Sequence, residues 1–131
     1  MQLTNTHVRE VSKAHGAALK SLCRILRQAG FSIVQQIELS RDFADQLAPG
    51  TENCTLLLVD NPLSMFEAIA LDRSAAAFVP FHVVVTGDRH STRIHWAHPA
   101  AAVGLCLSPT AKASVDALYT RLTQLLMDSE P

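Results

Sequence analysis

The chain has 131 residues, of which 48% are hydrophobic and 18% are charged. This is the size of one ordinary domain, so we expect residues 1–131 to fold as a single domain around a core of its own. The 11 basic and 12 acidic side chains nearly cancel, which argues against nucleic acid as a partner, because such proteins usually carry clustered positive charge.

The N-terminal segment lacks a basic start followed by an apolar stretch, and no run approaches the roughly 18 apolar residues of a membrane span. The sequence therefore predicts a cytoplasmic protein without a membrane partner. Residues Thr6 to Val11 are expected to form a short strand. Ser12 is a candidate N-cap for a helix that runs to Ala29 and ends at Gly30.

A second strand is indicated by the alternation of apolar and polar residues from Phe31 to Leu39. Residues 41–47 could add a helical turn or two before Pro49-Gly50 breaks it. The continuous apolar run from Cys54 to Val59 is short enough for a central strand.

The motif Asp60-Asn61-Pro62 is expected to switch the chain into a helix. Asn61 suits the N-cap and Pro62 the first helical position, where its missing N–H costs nothing. The apolar residues of this helix are expected on one face, packed on the sheet: Leu63, Phe66, Ile69 and Ala70.

A hairpin is predicted from Phe81–Val85 and Thr92–Ala97 around a loop at residues 87–90. An even-numbered loop would place His82 directly opposite His95, on the face away from Phe81 and Trp96. A last helix is expected from Ser108-Pro109 to about Met127. The element order β-α-β-(α)-β-α-β-β-α predicts an α+β fold, a largely antiparallel sheet with helices packed on one face.

Four dipeptides occur in an order that resembles the bacterial family known as domain of unknown function 302: Gly30-Phe31, Asn61-Pro62, Val79-Pro80 and His98-Pro99. The resemblance covers most of the chain and implies a compact α+β domain, grouped with TATA-binding-protein-like folds, that forms homodimers. Members often carry one Cys directly before the Asn-Pro dipeptide and another directly after the Pro of the Val-Pro dipeptide. This chain has Asp60 and Phe81 there, which leaves no thiol at either place.

Two places could hold a ligand. Imidazoles of His82 and His95 opposed on a ladder would have Cβ atoms about 5 Å apart, close enough to share a metal, a water or an anion, with Arg93 nearby. Two ligands do not make a zinc site, so we predict no metal and no cofactor, and the alternative is a histidine pair lining a groove or a dimer seam. At Asp60 and Asn61 the helix start could bind an anion, unless Asn61 caps those donors itself.

Three functions remain open at this point. We favour a homodimeric ligand-binding or accessory protein, because no recognisable catalytic motif is present. The alternatives are a metal- or redox-linked enzyme using His82 and His95, and a structural interaction module using the apolar run at residues 100–107. The three cysteines, an odd number without CxxC spacing, are expected to be buried, reduced thiols: Cys23, Cys54 and Cys106.

Overall fold

The computed structural model describes residues 6–42, 52–98 and 107–131. Within these ranges, five strands and four α-helices follow one another in the predicted order, with a 3-10 helix at Arg73–Ala77 before the fourth strand. The strands are β1 (Thr6–Val11), β2 (Ser32–Glu38), β3 (Asn53–Asp60), β4 (Phe81–Gly87) and β5 (Thr92–Ala97). The α-helices are α1 (His15–Gln28), α2 (Leu39–Asp42), α3 (Pro62–Leu71) and α4 (Pro109–Asp128).

The strands form one antiparallel sheet in the order β1-β5-β4-β3-β2, so the first two strands of the chain lie at opposite edges. The α+β fold predicted from the sequence is confirmed. Within the described ranges, no helix is both long and apolar enough to cross a bilayer.

The core lies between one face of the sheet and helices α1 and α4. The strands supply alternate residues to it, since side chains on a strand point to opposite faces in turn. The fully buried members are Leu22, Leu26, Leu57, Val59, Val83, Val85, Ile94, Leu122 and Leu126. On the opposite face, which we call the open face, Leu56, Leu58 and Val84 are half-buried and Val8 is 53% exposed.

Helix α3 packs with a different stripe from the one that the sequence predicts. Ala68 is buried, and Met65 and Ile69 pack against the core, whereas Leu63 is 70% and Phe66 is 69% exposed. Nearly all positions of this helix are apolar, so periodicity alone could not choose the buried face. The contact with α4 makes that choice, and it leaves two large side chains outside.

Helix α1 begins at His15, three residues later than the predicted cap Ser12. The residue at the cap position, Ala14, has no side chain that could accept a hydrogen bond. Instead the His15 backbone N–H donates to the carbonyl of Asp88 at 2.8 Å. A loop distant in sequence therefore replaces the local cap. The end of the helix agrees with the prediction, because Gly30 takes the left-handed conformation at φ +91°.

The predicted register of the β4–β5 hairpin is wrong by two residues. His95 pairs with Val84, not with His82, and Val83 pairs with Trp96. A shift of two keeps every side chain on its predicted face. His82 and His95 therefore share the open face but are not directly opposed.

The loop explains this shift. It has four residues, as predicted, but it occupies residues 88–91, because Gly87 still pairs with Thr92. The Asp88 carboxylate accepts hydrogen bonds from the backbone N–H groups of His90 and Ser91 at 2.7 and 3.0 Å. The turn therefore starts at the residue whose side chain can organise it.

Two predicted features lie wholly or mainly outside the described residues. The second helix is found at Leu39–Asp42, earlier than the predicted 41–47, and residues 43–51 are not described. The apolar run at 100–107 is described only at Leu107, and Cys106 belongs to the undescribed part.

Candidate functional site

A pocket of about 350 Å³ lies where β4 begins and β5 ends. Its walls come from both strands, from the 3-10 helix and the Pro80 segment that follows it, and from Thr6 at the start of β1. Apolar rings form much of its lining: Phe78, Pro80, Phe81 and Trp96. Three imidazoles also line it: His82, His95 and His98.

Two of the five predicted site residues meet in this pocket. His82 is exposed at the mouth, and His95 is half-buried with Nε2 3.1 Å from the hydroxyl oxygen of Thr86. The remaining three do not line the pocket. Arg93 is exposed on the open face, two residues before His95 and opposite Thr86.

Asp60 occupies the end of β3 and is only 2% exposed. Its Oδ1 is buried without a hydrogen-bond partner in the described part of the chain, and burial raises the pKa of this carboxyl group. Asp60 lies two residues beyond Leu58 in β3, and Leu58 pairs with His82 in β4. The carboxyl group of Asp60 and the imidazole of His82 are therefore diagonal neighbours on adjacent strands.

Asn61 caps α3, as the sequence predicts. Its Oδ1 accepts from the Ser64 backbone N–H at 3.1 Å, and Pro62 takes the first helical position. One of the free donors at this helix start is therefore already satisfied by the chain itself.

His98 was not among the predicted site residues, although the sequence marks it through His98-Pro99. Its side chain is 10% exposed, and Nε2 lies 2.7 Å from Oδ1 of Asp116 in α4. The second carboxylate oxygen accepts from Lys112 Nζ at 2.6 Å. Burial raises the pKa of Asp116, but hydrogen bonds from Lys112 and His98 and their positive charges outweigh it, so the pKa is lowered and the group is a carboxylate.

Aromatic contacts hold the wall of the pocket behind His98. Its ring meets that of Tyr119 edge to face at 4.3 Å between centroids, and Tyr119 meets Phe81 in the same way at 5.7 Å. Trp96 stacks on His7 at 5.3 Å and donates its indole N–H to the Thr123 hydroxyl at 3.1 Å. The wall is therefore braced by α4 at several points.

Two buried polar atoms in this wall have no hydrogen-bond partner among the residues described, Nδ1 of His98 and Oη of Tyr119. Burial raises the pKa of Tyr119, and the Thr123 hydroxyl, which is close to Oη but outside hydrogen-bond geometry, opposes that shift only in part. Native structures contain few such atoms, so each one calls for an explanation.

A second buried polar cluster, outside the pocket, is fully paired. The Thr55 hydroxyl donates to Glu38 Oε2 at 2.7 Å, so it can only accept from His15 Nε2, 3.2 Å away. The same nitrogen is 3.3 Å from the Val85 carbonyl. His15 therefore carries its proton on Nε2, and this cluster joins α1 to the sheet without leaving a group for a ligand.

Metal ligation and thiol chemistry have little support in the described ranges. These residues contain no group of three or more His, Cys, Asp or Glu side chains that could hold a metal ion. Cys23 is a buried free thiol, as predicted, whereas the free thiol Cys54 is only half-buried because it lies near the start of β3. Burial raises the pKa of both, which lowers their nucleophilicity.

Comparison with solved structures finds a similar fold in a crystal structure of the uncharacterized conserved protein DUF302 from Bacillus stearothermophilus. The TM-score is 0.83 and the identity 21%, over 95% of this chain and 98% of that one. At this identity the likeness shows the fold alone. Comparison with curated proteins finds no match. The model of the family described as domain of unknown function DUF302 matches residues 7–128, and the chain therefore belongs to that family.

Proposed function

We propose that this protein is a cytoplasmic homodimer that binds a small, flat, largely apolar ligand in the pocket at the end of β4 and β5. The observation that carries the proposal is the lining. Of the eleven described residues that line the pocket, six carry aromatic rings. Ring faces and edges suit a planar partner, because aromatic groups prefer offset stacking or edge-to-face contact.

The size of the pocket narrows the ligand class. Its volume of about 350 Å³ is at the lower end of the range of small-molecule sites, about 300–1,000 Å³. A compound of one or two fused rings fits this space. The mouth carries the polar side chains of His82 and His95, which supports a ligand with one polar substituent directed toward solvent.

The test uses Trp96, the one tryptophan of the chain, whose indole N–H gives a single NMR signal. Aromatic fragments are titrated into the 15N-labelled protein, and we expect binding fragments to shift the Trp96 indole signal and the amides of β4 and β5. The 3-10 helix offers a matched pair of variants. Ala77 lines the pocket and Ala76 does not, and both are exposed.

Ala77→Phe should fill the mouth and abolish fragment binding, whereas Ala76→Phe should leave it unchanged. Fragments that bind equally well to both variants, or that shift signals only elsewhere, would remove the proposal.

The homodimer is supported by the exposed apolar side chains of α3. Leu63 and Phe66 are one helical turn apart, and each is about 70% exposed. The two side chains form an apolar patch at the surface, and a second copy of the chain would cover it symmetrically.

A further inference from the structure

We infer that Arg93 selects the polar substituent of this ligand, so that the pocket takes a planar aromatic compound with a negatively charged group such as a carboxylate. The inference rests on the proposed function, which supplies the pocket and a substituent directed toward solvent. It adds the charge of that substituent and the residue that recognises it.

Arg93 lies one residue pair away from the pocket on the open face. His95 pairs with Val84, and both line the pocket, while Arg93 pairs with Thr86 at the next position of that face. Residues two apart on one strand point to the same face, about 7 Å from each other. The arginine side chain is long and flexible enough to span this distance, so its guanidinium can reach the space beside His95 at the mouth.

The side chain of Arg93 is exposed at the surface. Within the part of the chain that the structure describes, no ion pair joins its guanidinium to a carboxylate. His95, in contrast, has Nε2 3.1 Å from the hydroxyl oxygen of Thr86. Thr86 thus holds the imidazole in place, whereas Arg93 keeps five N–H donors and a permanent positive charge for a ligand.

An acidic residue, Glu10, lies directly opposite Arg93 on β1 and is exposed on the open face. Its carboxylate repels an anion and attracts Arg93, so removing it should strengthen the binding of an anionic ligand. The described lining of the pocket itself holds no carboxyl group. Asp60 is buried at the end of β3, and Lys112 balances the charge of Asp116 behind the wall at 2.6 Å.

A carboxylate is the substituent that Arg93 distinguishes best from a neutral group. Its two oxygens match two parallel N–H groups of a guanidinium, and charge-assisted hydrogen bonds of this kind are roughly twice as strong as neutral ones. A carboxamide has the same planar shape without the charge, and an ammonium group is repelled by the guanidinium. The position of Arg93 therefore predicts an order of affinity in which the anion binds best and the cation worst.

The experiment compares three probes that share one naphthalene ring system. 2-Naphthoate carries the anion, 2-naphthamide is its neutral counterpart, and 2-naphthylmethylammonium carries a cation. Dissociation constants are measured by NMR titration of the amide signals of β4 and β5 in the full 15N-labelled chain. We expect 2-naphthoate to bind about tenfold more tightly than the amide. Added salt should shrink this ratio, because Arg93 is exposed to solvent.

Variants that change one charge assign the preference to Arg93. Arg93→Gln should bring the naphthoate-to-naphthamide ratio to about one while affinity for the amide stays the same. Arg93→Lys should keep part of the preference, since it retains the charge but not the two parallel donors. Glu10→Gln should increase the affinity for naphthoate and leave that for the amide unchanged.

The matched control is Arg24→Gln, which removes the same charge from an exposed site on α1. Helix α1 packs on the other face of the sheet, so this variant should leave the ratio unchanged. If Arg24→Gln reduces the ratio as much as Arg93→Gln, the preference reflects net charge and the role of Arg93 is overturned.

The remaining outcomes are separable. Equal binding of naphthoate and naphthamide to the unmodified protein would overturn the role of Arg93 and leave the pocket in place. A preference for naphthoate that persists in Arg93→Gln would overturn it too. Failure of all three probes to bind would overturn the proposed function itself. Should Arg93→Gln fail to fold, Arg93→Lys and Glu10→Gln test the same assignment.

Discussion

The side-chain amide of Asn61 joins the start of α3 to the end of α1 through Gly30. Nδ2 donates to the Gly30 carbonyl at 3.2 Å, while Oδ1 accepts from the Ser64 N–H at 3.1 Å. Gly30 has φ +91°, a conformation that favours glycine, and it ends α1 close to this contact. One side chain therefore caps one helix and fixes the exit of another.

Asn61→Ala should lower the free energy of unfolding by about 1–2 kcal/mol, because it removes an N-cap and a second hydrogen bond. Asn61→Ser keeps an acceptor for Ser64 and should lose about half as much. Urea denaturation followed by circular dichroism measures both. If the alanine variant is as stable as the unmodified protein while binding of aromatic fragments falls, the residue serves a ligand and not the helix.

The buried carboxyl of Asp60 should make stability depend on pH. Burial raises its pKa in the folded state above the ordinary value of 3.8. Between the ordinary pKa and the raised pKa of the folded state, the folded protein holds more protons than the unfolded chain. The free energy of unfolding therefore falls as pH rises through this window. Below the ordinary pKa both states are protonated and the penalty disappears.

Asp60→Asn should therefore raise the melting temperature at neutral pH, and this gain should shrink as pH falls below the ordinary carboxyl range. Thermal scans of both proteins across this range provide the measurement. Glu67→Gln, at an exposed site on α3, is the control and should show no such gain. A destabilised Asp60→Asn variant at every pH would mean that the carboxylate has a partner in solution.

Local signals were sufficient for some elements and not for others. Asn61-Pro62 and Ser108-Pro109 predict the starts of α3 and α4, because cap and first turn are neighbours in sequence and both caps are formed. The start of α1 could not be predicted in this way, because the backbone N–H of His15 donates to the carbonyl of Asp88, in a loop that is distant in sequence.

The site shows the same limit. Alternation along β4 and β5, together with an even-numbered loop, places His82 and His95 on one face even when the register shifts by two. Asp116 and Tyr119 in α4 both contact His98, although Asp116, the nearer of the two, is 18 residues away in sequence. Nothing in the residue spacing of α4 indicates these contacts. The fold is thus largely predictable from periodicity and turns, whereas the contacts that hold His98 in the pocket wall depend on tertiary structure.

Gly87 pairs with Thr92 at the last position of the hairpin before the loop, where the backbone leaves no room for a side chain. A Cβ on this residue would lie 2.6 Å from the Ser91 carbonyl oxygen and 2.9 Å from the Thr92 Cα, both backbone atoms. Gly87→Ala should therefore cost about 1–3 kcal/mol, because the backbone must move.

The matched control is Gly16→Ala in α1, where a Cβ would meet nothing within 4 Å. It should stabilise the protein by about 0.5–1 kcal/mol, since alanine is the better helix former. Chemical denaturation of both variants measures the difference. Equal effects of the two substitutions would contradict the steric explanation.

The thiols should be reduced and slow to react. Cys23 is 6% exposed, and burial raises the pKa of Cys23 and Cys54. We expect alkylation of the native protein to be slow, and alkylation under denaturing conditions without reductant to modify all three cysteines of the chain. Mass spectrometry counts the modified thiols. Fewer than three after denaturation would show that a disulfide or another modification is present.

The homodimer is tested by light scattering coupled to size exclusion, which should give twice the chain mass of 14.2 kDa. A double variant, Leu63→Glu with Phe66→Glu, places two charges in the exposed apolar patch of α3 and should yield a monomer, because burying unpaired carboxylates at an interface is costly. Both side chains are about 70% exposed, so the substitutions should leave the fold intact.

Val8→Glu provides the control, because Val8 is also an exposed apolar residue, at 53%, but lies on the open face of the sheet. It should remain dimeric if α3 forms the interface. A monomer from Val8→Glu and a dimer from the α3 variant would move the interface to the open face. A monomeric unmodified protein at tens of micromolar, where a modest micromolar interface is already mostly assembled, would remove the dimer altogether.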